Sequence, residues 1–201
     1  MSDRYPIPAE RVRIGEEIKK SRFVTTLGPA ATVEEAQSFV EQVRAEFPDA
    51  GHNCYAFLVG APATTTSVGM SDDGEPHNSA GRPMLTVLTH CGLGDVAAVV
   101  TRYWGGTKLG KGGLVRAYSG GVQKAIEACR VGERVEWVKL GIAFDYAAVT
   151  GFKRMAPDFE AEILTEEFND KALFKIRLPA ERLADIQTAV TELTNGRVSF
   201  G

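Results

Sequence analysis

The chain has 201 residues, 44% of them hydrophobic and 24% charged, with a formal net charge of −3 at neutral pH. That is enough chain for one sizeable domain or two small ones, and its charge excludes a surface that coats nucleic acid everywhere, while leaving room for a local basic patch. Cys54, Cys91 and Cys129 lie 37 and 38 positions apart with no C-x-x-C pair, which excludes a zinc-finger spacing and a disulfide framework and suits a reducing compartment.

No apolar run approaches the ~20 residues that span a bilayer, and the opening MSDRYPIPAERVRIGEE lacks the apolar centre of a signal peptide. A cytoplasmic protein without membrane attachment is expected. In chain order, Val12–Ile18 and Phe23–Leu27 read as strands. Thr32 and Glu35 form a capping box, after which Val33, Ala36, Val40, Val43 and Phe47 recur at helical spacing until Pro48 ends the helix. Residues 53–60 read as a buried strand and 65–71 as its hairpin partner. A helix over 81–91 accommodates Pro83 in its first turn. The valine-rich run 95–104 is a third core strand. Apolar residues at 114, 115, 118, 122, 125, 126 and 129 share one helical face, so a helix is expected to begin near Gly113.

RVGER at 130–134 reads as a linker, which divides the chain into domains 1–132 and 133–201. Beyond it the expected order is strand 136–144, helix 146–156, strands 160–168 and 171–178, helix 180–194 and strand 197–200. Asp145 is placed to cap the first helix and Gly196 to follow the end of the second, whose buried stripe is Leu183, Ile186, Val190 and Leu193. This β-α-β-β-α-β order is the ferredoxin-like split arrangement, and the fold class is α+β in two domains.

The stretch VVTRYWGGTKLGKGGLVRAYSGG, residues 99–121, holds seven glycines, and no acidic residue occurs from Val96 to Ile126. A strand runs into a glycine-rich loop and then a helix, whose first N–H groups lack partners and carry the positive end of the helix dipole. Lys108, Lys111, Arg102 and Arg116 add charge, with Gly105, Gly106, Gly110, Gly112 and Gly113 leaving the backbone approachable. The stretch reads either as an anion site, most simply for phosphate, or as a tight turn with close helix–sheet packing. It lacks the Walker A spacing. Tyr103, Trp104 and Tyr118 are candidates for stacking on bases, although Tyr118 also falls on the core face.

MSDDGEPHNSAGRPM, residues 70–84, clusters Asp72, Asp73 and Glu75 on a loop before a helix. Those carboxylates suit a hard divalent cation or acid/base chemistry, but equally a helix cap, solvated charge or pairing with the basic loop. His77 and Asn78 accompany them, and His52 and Asn53 sit at the mouth of a strand. Cys54 reads as core filler. No nucleophile elbow or H-E-x-x-H motif is present, so no catalytic residue is identified.

HNCYAF, SDDGEPHNSAGRPML and the glycine-rich stretch, in that order, resemble the three long motifs of the YigZ/IMPACT family over nearly the whole chain. The family usually has Gly and Thr where this chain has Asn78 and Ser79. The resemblance implies an N-terminal β-α-β domain of the ribosomal-protein/GHMP-kinase type and a ferredoxin-like C-terminal domain similar to one in elongation factor G. For eukaryotic members it implies translational control through a protein partner.

The resulting expectation is a translation-associated regulator that binds RNA or the ribosome through Arg102, Lys108, Lys111 and Arg116 and the loop glycines. From residue 136 onward there are 11 acidic against 8 basic side chains, a balance suited to a protein partner. The alternative is an enzyme acting on a phosphorylated small molecule or nucleotide, with a divalent cation at Asp72, Asp73 and Glu75 and no other cofactor. His52, Asn53 and His77 complete that candidate cleft. A pure scaffold is the third reading.

Overall fold

The computed structural model describes residues 4–62, 64 and 67–201. It divides into two compact units, one of residues 5–134 and one of residues 135–201 with Arg4, and both are α+β as expected.

The first unit is built on β1 (Tyr5–Pro8), β2 (Val12–Ile18), β3 (Ser21–Pro29), α1 (Val33–Glu46), β4 (His52–Val59), β5 (Ser67–Ser71), α2 (Gly81–His90), β6 (Val96–Tyr103), α3 (Lys111–Ala128) and β7 (Val131–Arg134). A five-stranded sheet runs in the order β2-β3-β6-β4-β5 with every pair antiparallel. Alternation along β6 explains its unbroken apolar run. Val96, Ala98 and Val100 enter the core that contains α2 and α3, while Ala97 and Val99 enter the core that contains α1. A strand buried on both faces needs apolar residues at every position. Residues 65 and 66 of the expected hairpin partner lie outside the described residues; the rest of it pairs with β4.

Thr32 caps α1 as its capping box predicts, its hydroxyl accepting from the Glu35 N–H at 3.1 Å while Glu35 reaches back to the Ala31 N–H. Two expectations need correction. The presumed linker 130–134 is mostly β7, paired antiparallel with β1; a two-proline strand with a partner more than 120 positions away has no local signature. And α3 begins at Lys111, earlier than Gly113, because its glycine-rich first turn carries no apolar periodicity to reveal it.

The second unit contains β8 (Trp137–Phe144), α4 (Val149–Met155), β9 (Glu162–Phe168), β10 (Ala172–Pro179), α5 (Leu183–Leu193) and β11 (Val198–Phe200). Its antiparallel sheet runs β11-β8-β10-β9, which with the element order is the ferredoxin-like split arrangement. Phe144, Phe152 and Phe174 stack and tilt against one another at 4.9–5.4 Å between centroids. Asp145 opens a 3-10 turn ahead of α4 but makes no side-chain cap bond; its carboxylate lies 3.6 Å from Arg197. Gly196 takes the left-handed φ of +79°. Ile186 and Val190 are buried as expected, whereas Leu193 is 37% exposed at the end of α5.

Candidate functional site

The site lies where β4 and β6 hand the chain to their loops. Their register sets His52 opposite Arg102 and Asn53 opposite Thr101, so the first pair shares one face of the sheet. Beyond Tyr103 the chain turns tightly. A Cβ on Gly105 would lie 1.8 Å from the Lys20 carbonyl oxygen, so only glycine fits there. Gly110, at φ +74°, then sits immediately ahead of α3.

The first intrahelical bond of α3 runs from the Leu114 N–H to the Gly110 oxygen at 3.0 Å. The N–H groups of Lys111, Gly112 and Gly113 precede it, and no side chain caps them among the described residues. They carry the positive end of an 18-residue helix.

Of these three residues Lys111 borders a cleft of about 440 Å³, lined also by His52, Glu75, Arg102, Trp104 and Lys108 among others, whereas Gly113 borders a neighbouring hollow. The acidic and basic loops therefore meet, but through Glu75 alone of the three carboxylates. Its side chain, 3% exposed, faces Arg102, 8% exposed, with Arg102 Nη1 donating to Glu75 Oε1 at 2.6 Å. Tyr118 OH donates to the same oxygen at 2.6 Å. Arg102 Nε is shut off from solvent and has no hydrogen-bond partner among the described residues. His52 Nδ1 lies 2.8 Å from the Asp73 carbonyl oxygen. A carbonyl only accepts, so Nδ1 carries hydrogen. Nε2 is 4.0 Å from Glu75, beyond hydrogen-bond reach.

The other candidates serve the architecture. Asp72 accepts the N–H groups of Asn78, Ala80 and Gly81 at 2.8–3.0 Å, closing its loop and capping α2. Burial pushes the Asp72 carboxyl upward, but the three N–H groups outweigh it and hold the group below the usual range. Asp73 takes the Asn53 N–H at 2.6 Å and Arg44 at 3.1 Å. Asn53 Oδ1 accepts from the Thr101 hydroxyl at 2.7 Å. His77 is 90% exposed. Asn78 holds φ +58°, the conformation a glycine would otherwise supply, and the neighbouring Ser79 hydroxyl is buried without a partner among the described residues.

The cation site of the alternative reading does not fit these residues. Asp72 and Asp73 spend their oxygens on backbone N–H groups and Arg44, and Glu75 spends one on Arg102 and Tyr118. Among the described residues no group of three or more His, Cys, Asp or Glu side chains is placed to hold a metal ion.

Trp104 is 65% exposed and free to stack. Tyr103 is engaged by Asp49 at 2.8 Å, and Tyr118 is fully buried, so stacking on an outside base is closed to it. Arg116 lines a neighbouring hollow of about 250 Å³ with Lys19 and Lys124, separated from the cleft at Leu109, which borders both. Sequence reasoning missed Tyr118 as the polar partner of Glu75; its only signal was a hydroxyl on an otherwise apolar helix face. Burial first, then Cys54 and Glu75 nearby, push that phenol well above its ordinary pKa. Burial likewise pushes Cys54 up to about 12.

The Impact N-terminal domain profile matches residues 19–126, and the profile of a domain of unknown function, DUF1949, matches residues 142–197. The chain is 40% identical over 194 residues to "IMPACT family member YigZ" of Escherichia coli (strain K12), spanning 96% of this chain and 95% of that protein. It is 34% identical over 180 residues to "IMPACT family member YvyE" of Bacillus subtilis (strain 168), spanning 90% and 82%. A crystal structure of a hypothetical protein, 39% identical, superposes with a TM-score of 0.71 over 100% of this chain and 97% of that one. No helix among the described residues is long and apolar enough to cross a membrane.

Proposed function

The chain belongs to the YigZ/IMPACT family, and from that premise we propose that it acts in the control of translation in the cytoplasm by binding RNA through the cleft at the start of α3. The single observation that carries this reading is the uncapped start of α3 at Lys111, on a cleft that Lys108 and Lys111 both line. Backbone donors at a helix start and flanking ammonium groups are the two elements that grip phosphate. Arg102 and Glu75 cancel each other within the cleft, so the two lysines set its net charge. Trp104 offers an aromatic face for a base. The ferredoxin-like unit, acidic on balance, is assigned to protein contacts.

The test is a titration of the full chain with single-stranded RNA at several salt concentrations. Phosphate contacts release counterions, so the affinity falls as salt rises, with about 0.7 of logarithmic slope per contact on a single strand. RNA binding that ignores salt, or no binding even at low salt, removes the proposal.

A further inference from the structure

We propose that the cleft holds one unpaired guanine base and reads its hydrogen-bonding edge with Glu75, Arg102 and His52; this rests on the RNA reading and names the nucleotide that the site takes.

The buried ion pair on the cleft wall is only half satisfied. Both hydrogen bonds to Glu75 fall on Oε1, from Arg102 Nη1 and the Tyr118 hydroxyl. Glu75 Oε2 accepts nothing and Arg102 Nη2 donates to nothing among the described residues. Arg102 Nε is sealed in, but neither Oε2 nor Nη2 is closed to solvent. Both side chains line the cleft and are otherwise buried, at 3% and 8% exposure, so the cleft is where these two atoms open. A buried ion pair recovers its desolvation cost only when its remaining lone pairs and protons also find partners. The free oxygen and the free N–H therefore mark a place for a ligand. Because the two charges cancel, that place suits a neutral group carrying both donors and acceptors.

His52 adds a second acceptor. Its Nδ1 hydrogen is committed to the Asp73 carbonyl oxygen, which leaves the Nε2 lone pair of the neutral ring available. Nε2 lies 4.0 Å from Glu75 Oε1, and His52 lines the same cleft.

The wall thus offers two acceptors, Glu75 Oε2 and His52 Nε2, and one donor, Arg102 Nη2. Unpaired RNA bases are read on their Watson–Crick edges while stacked on an aromatic side chain. Of the four, only guanine brings the complement, with donors at N1 and N2 and an acceptor at O6. Adenine presents one donor and one acceptor, and cytosine and uracil present one donor and two acceptors. An acceptor placed against the Glu75 carboxylate would be repelled. Trp104 lines the cleft and is 65% exposed, which supplies the stacking face, while Leu109 and Leu114 supply apolar wall. At about 440 Å³ the cleft falls in the range of sites that enclose a small molecule.

The experiment titrates the full chain with a short oligouridine whose central base is left as uracil or replaced by guanine, adenine, cytosine or hypoxanthine, with guanosine monophosphate as a separate ligand. Guanine is expected to bind about tenfold tighter than the other three natural bases, the scale of one well-made bidentate contact. Hypoxanthine, which lacks the N2 donor, is expected to fall between. Glu75→Gln is expected to erase the preference while RNA still binds, and a urea midpoint shows whether that variant folds; if it does not, the base series decides alone. Equal affinity for all bases, or preference for one other than guanine, overturns the inference and leaves the RNA reading standing. Hypoxanthine binding as tightly as guanine overturns the role given to His52. A guanine preference that survives in folded Glu75→Gln overturns the role given to the carboxylate. Binding of guanosine monophosphate with no binding of any RNA overturns the RNA reading and keeps the base site, and no binding of any ligand overturns both.

Discussion

Glu75 and Arg102 meet at 2.6 Å inside the protein, and Tyr118 donates to the same carboxylate oxygen. The arrangement ties the loop after β5 to the end of β6 and to the middle of α3, three segments far apart in sequence. Removing one member of such a pair leaves a buried charge uncompensated. Arg102→Met is expected to lower unfolding free energy by about 3–5 kcal/mol. Adding Glu75→Leu to it should recover part of that loss, so that the double variant is less damaged than the sum of the singles. Urea unfolding of the four proteins measures this, and strict additivity would show that the pair is energetically idle.

Cys54 and Tyr118 make the fold sensitive to alkali. Burial raises both groups, Cys54 to about 12, while in the unfolded chain the thiol ionises near 8.5 and the phenol near 10. Their contribution is complete below those unfolded values and is lost as pH climbs from about 8.5 toward the folded values. Cys54→Ala should therefore show a shallower decline in urea midpoint across that range than the parent protein. An equally steep decline would assign the effect to other groups.

Asp72 governs the acid side. Because its carboxyl is held below the usual range by three backbone N–H groups, it contributes stability above about pH 4 that disappears as pH falls further. Asp72→Asn should lose about 1–2 kcal/mol near neutral pH, as expected for a lost helix cap and loop anchor, and should be less acid-sensitive than the parent. Thermal melts at neutral and acid pH separate the two effects.

Two glycines seven positions apart should respond oppositely to alanine. At Gly105 the new methyl group collides with the Lys20 backbone at 1.8 Å, and backbone cannot swing aside as a side chain does. A loss of about 1–3 kcal/mol or more is expected. At Gly112 the methyl group enters open space, and a gain of about 0.5–1 kcal/mol is expected from the better helix former. Denaturant midpoints of the two variants decide the matter.

Lys108 and Lys111 line the cleft and form no ion pair among the described residues. Lys108→Ala and Lys111→Ala should each flatten the salt dependence of RNA binding by about 0.7 in logarithmic slope and leave the urea midpoint in place. A shift in midpoint without a change in slope would make these lysines structural.

Much of the scaffold was legible because it is locally encoded. The capping box at Thr32 and Glu35, the short valine-rich run of β6 and the left-handed Gly196 each announce themselves within a few residues. The β1–β7 ladder was not legible, since Pro6 and Pro8 disguise one strand and the polar RVGER run disguises the other. The first turn of α3 was hidden for a related reason: the lysine and two glycines that form it carry no apolar periodicity.

Residue types alone established that an acidic loop, a glycine-rich basic loop and a polar strand mouth exist in this chain, because charge, missing Cβ atoms and alternation are properties of the chain itself. Packing determined which of them face one another. Asp72, Asp73 and Glu75 are near neighbours in sequence, yet Asp72 turns to α2, Asp73 to β4 and α1, and Glu75 to Arg102 and Tyr118. The left-handed backbone at Asp73 and Gly74 sends adjacent side chains in different directions, and their partners arrive from strands and helices as many as 43 positions away. Directions of that kind are written in the assembled core, not in the spacing of letters.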